Sequence, residues 1–168
     1  MKSIVKKLTH NEDKTKDFFK FHLTKVHPSR YYYYGVFLIL IIVSLFFIFR
    51  NDFGSFFFFL FVAFMVLIIK KVVTNIMAKN ISKKVIYKSI NYELELSENE
   101  ITYKDAINKE VYPWLKIKFI CEVNRYYYFY VTNSSALILN KYTLTENERK
   151  ELSDFLSNLK IKYKKYNF

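Results

Sequence analysis

Two long uncharged runs near the N-terminus constrain the fold of this chain more than any other feature. Residues 31–49 contain no charged side chain, and residues 53–69 contain none. A helix rises about 1.5 Å per residue, so the first run can cross a hydrocarbon core about 30 Å thick. The second run is shorter and gains reach from the side chains of Lys70 and Lys71. Because lipid-crossing segments must pair their own backbone groups, we predict two transmembrane helices joined by an outside turn at 50–55.

Neither a soluble helix pair nor a signal peptide fits the apolar runs as well as a membrane hairpin does. A buried helix pair in a water-soluble protein usually has a polar face or scattered charges, and neither run has them. A cleaved signal peptide begins with a few basic residues and ends at a small-residue cleavage site. Here a polar segment, residues 1–30, comes first, and no such site follows. The membrane hairpin over 31–69 is therefore the preferred interpretation.

Basic residues are concentrated on either side of the apolar runs. The net charge is +12, of which residues 1–30 contribute +5, residues 70–91 contribute +6 and residues 92–168 only +1. The positive-inside rule then places both termini in the cytoplasm and makes this a multi-pass protein of the cell (inner) membrane. A nucleic-acid-binding protein would carry its basic face on the folded domain. We therefore expect no nucleic-acid partner.

The lysines that follow the second run are candidates for contacts with lipid headgroups. They are Lys70, Lys71, Lys79, Lys83, Lys84 and Lys88. A lysine near an anionic leaflet contributes about 1 kcal/mol of attraction. The simpler role, in which the same lysines only set the topology, is favoured over specific lipid recognition, and the sequence leaves both roles open.

The segments on either side of the hairpin are predicted to be helical and amphipathic. Residues 1–30 form a basic cytoplasmic segment, in which Phe18 and His22 fall on one helical face. Pro28 ends that helix, because the residue before a proline avoids helical backbone angles. Residues 70–91 keep helical spacing with lysines between the apolar positions, so they are predicted to form a basic juxtamembrane stem.

The periodicity changes from helical to alternating at residue 92. The predicted strands are 92–97, 101–104, 109–114, 116–123, 126–131 and 136–139. A capping box of Thr145 and Glu148 then begins an amphipathic helix. Residues 92–168 are thus predicted to form a small antiparallel β-sheet or barrel closed by a C-terminal helix. The fold class is a membrane α-helical hairpin plus an α+β domain.

This order of elements resembles the YcxB-like family of bacterial membrane proteins. The resemblance lies in the strand pair 92–104, the segment 111–118 with its tryptophan, the strands 126–131 and 136–139, and the capped helix. It implies two transmembrane helices followed by a cytoplasmic domain similar to a bacterial pleckstrin-homology fold. Asn140 stands where family members often have a proline. The resemblance implies a fold and a location, and it carries over no catalytic or ligand-binding residue.

The sequence contains no recognisable pattern for catalysis or cofactor binding. It has no phosphate-binding glycine loop, no dinucleotide fingerprint and no C-x-x-C pair. His10, His22 and His27 lack the companions that a metal site needs. Cys121 is predicted to be a buried structural thiol and Trp114 a core or edge-covering residue. We therefore predict a non-enzymatic protein without a cofactor or a metal.

The leading functional hypothesis is an integral membrane protein whose cytoplasmic domain binds a protein or an anionic lipid at the membrane surface. The alternative is a self-immunity protein against a membrane-active peptide toxin (a bacteriocin). The expected partners are the lipid bilayer, anionic lipid headgroups and an unidentified membrane or cytoplasmic protein. A transporter subunit is less favoured, because the spans contain no ionisable side chain for an ion path.

Overall fold

The computed structural model describes residues 3–85 and 90–168, and these residues form two compact units. The helical unit comprises the described residues from Glu12 to Val85. The β unit comprises the described residues from Ser3 to Asn11 and from Ile90 to Phe168. The sequence-based division, with domains at 1–30, 31–69, 70–91 and 92–168, did not anticipate that the two ends of the chain share a unit.

The helical unit is built from three α-helices and one π-helical turn. They are α1 (Glu12–Phe21), the π-helical turn (His22–Val26), α2 (Ser29–Phe49) and α3 (Phe53–Val85). The predicted break before Pro28 is confirmed, since His27 is extended with a ψ of 136°. Helix α3 is continuous, so the predicted stem extends the second apolar run as far as Val85. Residues 86–89, which belong to the predicted stem, lie outside the described residues.

A turn of three residues, rather than the predicted six, reverses the chain between α2 and α3. The Asn51 N–H donates to the Ile48 carbonyl, and the Asp52 N–H donates to the Phe47 carbonyl, both at 3.0 Å. This is the Schellman pattern that closes many helices. Asn51 has a φ of 56°, a left-handed conformation that asparagine tolerates well. Asp52 then caps α3 by accepting a hydrogen bond from the Ser55 N–H at 3.1 Å.

Helices α2 and α3 pack along each other through aromatic rings and small side chains. Phe47 and Phe59 stack with ring centroids 5.3 Å apart, and Phe37 meets Phe64 edge-on at 6.1 Å. Ser44 is buried and donates its hydroxyl to a carbonyl of its own helix at 2.9 Å. That bond satisfies the hydroxyl without a partner on another helix.

Helix α1 packs against α3 within the same unit. Ala78 and Ser82 are fully buried on α3, and small side chains of this kind let a second helix approach closely. Phe18 and His22, which the sequence places on the apolar face of the N-terminal segment, are both buried. The predicted amphipathic helix is therefore present, although its last turn is π-helical.

The β unit contains two four-stranded sheets. Sheet A, in the order β1-β2-β3-β4, contains β1 (Ile4–His10), β2 (Ile90–Leu96), β3 (Glu100–Lys104) and β4 (Lys109–Pro113). Sheet B, in the order β7-β6-β5-β8, contains β5 (Phe119–Glu122), β6 (Tyr126–Tyr130), β7 (Ala136–Asn140) and β8 (Lys162–Lys165). Helix α4 (Glu146–Asn158) lies between β7 and β8 in the chain. Over the residues described, the strands form two sheets and do not close into a barrel.

Strand β1 departs from the expectation of a single basic segment over residues 1–30. It pairs antiparallel with β2 along its whole length, with Ile4 opposite Leu96 and Leu8 opposite Tyr92. The side chains of Ile4 and Leu8 are only 3 % and 5 % exposed and belong to the core. The local pattern around them, two apolar residues among lysines, is too short to indicate a strand whose partner lies far along the chain.

Strand β8 was not predicted, because the lysines after the last helix were expected only to follow its C-terminus. It pairs parallel with β5, with Lys162 opposite Phe119 and Lys164 opposite Cys121. Ile161 and Tyr163, on either side of Lys162, pack against the core. This alternation of apolar residues with lysines is a strand pattern.

The core of the β unit draws on both sheets and α4. Trp114 is buried there, as predicted, and its Nε1 donates to the Ser97 carbonyl at 3.0 Å. Its ring meets Phe129 of sheet B at 5.9 Å and Phe155 of α4 at 5.4 Å, both edge-on. One tryptophan thereby connects the two sheets with the helix.

The start of α4 is secured from two directions. The predicted capping box is confirmed, because the Thr145 hydroxyl accepts from the Glu148 N–H and the Glu148 carboxylate accepts from the Thr145 N–H. The same carboxylate pairs with Lys6 of β1 at 2.9 Å. Leu152 and Leu156 are then fully buried one turn apart. A half-buried lysine on β1 is thus neutralised by the helix that covers it.

We predict that residues 90–168 alone are unstable and that joining residues 3–11 to them restores a folded unit. His10 lies opposite Ile90, so a short Gly/Ser hairpin can replace the intervening chain. Losing the buried side chains of Ile4 and Leu8 removes about 2–5 kcal/mol each, which rivals the whole stability of a small domain. Urea unfolding followed by Trp114 fluorescence measures this difference.

The matched control is the joined chain with Val5→Lys, which changes an exposed position of the same strand that lies opposite Glu95. It should unfold near the midpoint of the parent, whereas Leu8→Lys should abolish the cooperative transition. A fragment of residues 90–168 with the same midpoint as the joined chain would contradict the role assigned to β1.

Candidate membrane-facing site

Helices α2 and α3 expose apolar side chains on the surfaces that point away from each other. Both are long and apolar enough to cross a membrane by length and composition, and only 6 % of the residues in the most apolar stretch of each are buried within the chain. The exposed side chains include Leu38, Ile42, Phe46, Phe49, Phe57, Phe58 and Phe61. Exposed apolar surface of this extent marks a site that a membrane or another protein covers.

The predicted headgroup lysines do not form one cluster. Lys71, Lys79 and Lys83 are exposed along α3, and Lys70 is half-buried. The side chain of Lys84, and Lys88 as a whole, lie outside the described residues. Lys79 and Lys83 are one helical turn apart and share a face, whereas Lys70 and Lys71 point about 100° apart around the helix. The stem therefore presents separate lysines on more than one face.

A different set of cations gathers where α2 begins. The Lys70 ammonium lies 3.7 Å from the ring centroid of Tyr34. Arg30 lies one turn before Tyr34, its guanidinium is 4.5 Å from the ring centroid of Tyr31, and it donates to the Tyr31 hydroxyl. Lys25, at the end of the π-helical turn, and Arg30 are both close enough to the Tyr34 hydroxyl to interact with it electrostatically.

We call Lys25, Arg30 and Lys70 the cation cluster. In the described part of the chain, no carboxylate lies within 4.0 Å of any of the three. The Arg30 Nε is buried and has no hydrogen-bond partner among the described residues. Sequence reasoning identified only Lys70, because the three residues come from three different elements. For Arg30, the sequence offers one local indication, which is its spacing of four residues from Tyr34 on a predicted helix.

The buried histidine of the helical unit lies beside a second histidine. The ring centroids of His22 and His27 are 5.7 Å apart. Burial lowers the pKa of His22, and the nearby His27 lowers it further, so His22 is neutral at pH 7. Within the described ranges, no three or more His, Cys, Asp or Glu side chains are grouped as metal ligands.

A partly buried polar cluster joins the strands of sheet B. Glu122 of β5 accepts from Lys141 at 2.5 Å and from the Tyr163 hydroxyl, and Lys165 lies 3.4 Å away. Burial by itself raises the pKa of Glu122, but the hydrogen bonds from Lys141 and Tyr163 outweigh it and hold the pKa below its usual value. This cluster ties β8 and the turn after β7 to β5.

The thiol of the single cysteine is not available for chemistry at neutral pH. Cys121 is 2 % exposed, and burial raises its pKa to about 12. Since the thiolate is the reactive form, this thiol is inert near pH 7. The prediction of a buried structural cysteine is confirmed.

Sheet A carries a cleft of about 440 Å³ on the strands β1 to β3. Its lining residues are Lys7, Leu8, Thr9, Asn91, Tyr92, Glu93, Lys104 and Asp105. Lys7, Glu93 and Lys104 stand opposite one another on three adjacent strands, so their charges alternate. Asp105 accepts hydrogen bonds from the N–H groups of Ile107 and Asn108. Thr9 and Asn91 are hydrogen-bonded to each other, and we assign no ligand to the cleft.

No family model, curated protein or solved structure matches this chain. The resemblance to the YcxB-like family therefore stays a prediction from the sequence pattern.

We predict that Glu122→Gln lowers the free energy of unfolding at pH 7 by about 1–3 kcal/mol, because Lys141 loses its charged partner. The folded pKa of Glu122 is depressed, so its contribution is present above the unfolded value of about 4.3 and is lost as the pH falls through the folded pKa. The difference between the parent and the variant should therefore shrink below about pH 4. Urea unfolding of the joined β unit at pH 7, 5, 4 and 3 measures it.

Asp154→Asn is the control, because Asp154 is exposed on α4. It should leave the stability almost unchanged at each pH. A Glu122→Gln deficit that stays constant from pH 7 to pH 3 would contradict the proposed ion pair.

Proposed function

We propose that this chain is a non-enzymatic integral protein of the cell membrane, anchored by α2 and α3, whose β unit binds a protein or an anionic lipid at the membrane surface. The observation that carries the proposal is the exposure of two adjacent helices that are apolar around their circumference. A helix that is apolar on all sides needs either a protein core or lipid around it. Within the described chain there is no such core around α2 and α3.

The dimensions of the hairpin support a bilayer as its surroundings. The uncharged part of α2, residues 31–49, is about 28 Å long, and residues 53–69 of α3 are about 25 Å long. A hydrocarbon core is about 30 Å thick. Tyr31 and Tyr34 stand at one end of the apolar stretch, where amphipathic rings favour the interface. Beyond Ile69, α3 continues for about 24 Å as a lysine-bearing stem.

The pairing of β1 with β2 supports a topology in which both termini lie on one side. Strand β1 precedes the hairpin and β2 follows it, yet they are neighbours in one sheet. The chain must therefore return to the side it left, which two crossings achieve. The excess of lysines beside the hairpin favours the cytoplasm for that side.

We propose that the β unit is pleckstrin-homology-like. Two packed sheets with a capped helix after β7 support this, and they agree with the fold that the YcxB-like resemblance implies. The first strand of that domain would then be β1, which precedes the membrane anchor in the chain. Nothing in the described residues favours the self-immunity alternative, which stays a prediction from the sequence.

The β unit has exposed apolar side chains that can report on a protein partner. Leu115 is 99 % exposed in the turn after β4. In-cell photo-crosslinking from Leu115, with Lys150 on α4 as an exposed control position, distinguishes the two kinds of partner. A discrete protein adduct from Leu115 alone favours a protein, and lipid adducts alone favour the lipid.

We predict that the full chain resists alkaline carbonate extraction from membranes, and that Ile42→Arg with Phe61→Arg releases it. Both side chains are exposed near the middle of their helices. An arginine at the centre of a span costs about 2.5–3.5 kcal/mol, so two cost about 5–7 kcal/mol. Immunoblots of the pellet and supernatant after carbonate treatment measure the outcome.

Leu115→Arg is the matched control, since it places a charge at an equally apolar exposed position of the β unit. It should leave the chain in the membrane pellet. Release of the unaltered chain by carbonate, or no effect of the two arginines within the hairpin, would contradict the membrane anchor.

A further inference from the structure

We propose that the cation cluster of Lys25, Arg30 and Lys70 binds the phosphate group of an anionic phospholipid. The proposal rests on the membrane insertion of α2 and α3 proposed above. It assigns lipid recognition to residues from three elements rather than to the exposed lysines of the stem. The shared chemistry is a phosphate group, and the source to which we commit is the lipid headgroup.

The charge balance of the cluster calls for an anion. The Lys70 ammonium lies 3.7 Å from the Tyr34 ring centroid, and Lys25 and Arg30 interact electrostatically with the Tyr34 hydroxyl. No carboxylate of the described chain lies within 4.0 Å of these three cations. Elsewhere, the partly buried cations Lys6 and Lys141 are neutralised by glutamates at 2.9 and 2.5 Å. Like charges held together are unfavourable unless a counter-charge joins them.

The donors of the cluster are positioned and still have bonding capacity. The Lys70 ammonium rests on the Tyr34 ring, and the Arg30 guanidinium rests on Tyr31. An ammonium has three N–H donors and a guanidinium has five, so these contacts leave several free to bind oxygen. A guanidinium fork matches the geometry of phosphate oxygens.

The cluster lies at the level where a lipid carries its phosphate. Arg30 directly precedes the uncharged run of α2, and Lys70 directly follows that of α3. Phosphates lie just outside the hydrocarbon core, beside the belt of interfacial aromatic residues. Tyr31 is 62 % exposed and Tyr34 is 50 % exposed, so a lipid lying against the hairpin can reach this end.

The stem lysines differ from the cluster in arrangement. Lys71, Lys79 and Lys83 are exposed and are distributed over about 18 Å of helix. Lys71 lies about 12 Å along the axis from Lys79, beyond the Debye length of about 8 Å at physiological salt, so it does not act together with the pair Lys79 and Lys83. The three lysines provide a control set with the same number of charges.

The test uses the full chain in phosphatidylcholine vesicles with spin-labelled phosphatidylglycerol or spin-labelled phosphatidylcholine as the probe. The motionally restricted fraction in the spin-label spectrum gives the relative association constant of the two lipids. The cluster variant is Lys25→Gln, Arg30→Gln and Lys70→Gln. The matched variant is Lys71→Gln, Lys79→Gln and Lys83→Gln, which removes the same charge.

We expect the unaltered chain to prefer phosphatidylglycerol and the cluster variant to lose at least five-fold of that preference at 0.15 M salt. The matched variant should lose less than two-fold. Equal losses in both variants, or no loss in the cluster variant, would overturn the phosphate site and leave the membrane anchor intact. Inorganic phosphate that removes the preference, where chloride of equal ionic strength does not, would overturn the lipid as the source.

All three chains are first tested for carbonate resistance. Release of the unaltered chain at this step overturns the anchor and the phosphate site together. Retention of all three chains, with the larger loss of lipid preference in the cluster variant, supports both.

Discussion

The pairing of β1 with β2 determines both the fold of the β unit and the topology of the helical segment that lies between these two strands in the chain. This pairing completes sheet A, brings Ile4 and Leu8 into the core and places Lys6 beside Glu148 at the start of α4. It also limits what the chain between the two strands can be. An insertion between neighbouring strands of one sheet must begin and end on the same side of a membrane, so an even number of crossings is required.

This arrangement has a consequence for folding. Pairing β1 with β2 closes a long loop, and loop closure costs conformational entropy that grows slowly with length. A hairpin inserted in lipid returns the chain to the side from which it left, and this reduces the space that the two strands must search. The Schellman turn at Asn51 and the cap at Asp52 support that return by closing the hairpin in three residues.

The features that the sequence predicted correctly are those set by local chemistry. Each of them depends on residues close together in the chain. They are the helices over the two uncharged runs, the break before Pro28, the capping box at Thr145 and the burial of Trp114 and Cys121. Two strands were missed because their partners are distant. The apolar pattern of Ile4 and Leu8 is too short to indicate a strand by itself. In β8, the run of lysines was interpreted as the basic end of the last helix, and the alternation around Tyr163 was overlooked.

The candidate site shows the same limit. Among the six lysines after the second run, only Lys70 joins the cation cluster. Arg30 is connected to it through Tyr34 by helical spacing, which a sequence can reveal. Lys25 is brought near by the π-helical turn and the bend at His27, and no periodicity anticipates that turn. The fold thus places Lys70 beside Tyr34 and leaves Lys71, Lys79 and Lys83 exposed along the stem.

Labelling of single cysteines with a membrane-impermeant maleimide determines whether a two-span hairpin separates the two paired strands. In a background with Cys121→Ala, the positions are Ser3→Cys before β1, Arg50→Cys in the turn and Ser134→Cys between β6 and β7. We expect that only Arg50→Cys is labelled in intact cells and that the other two react after permeabilisation. Labelling of Ser3→Cys and Ser134→Cys from opposite sides, or of all three from the same side, would contradict the two-span hairpin.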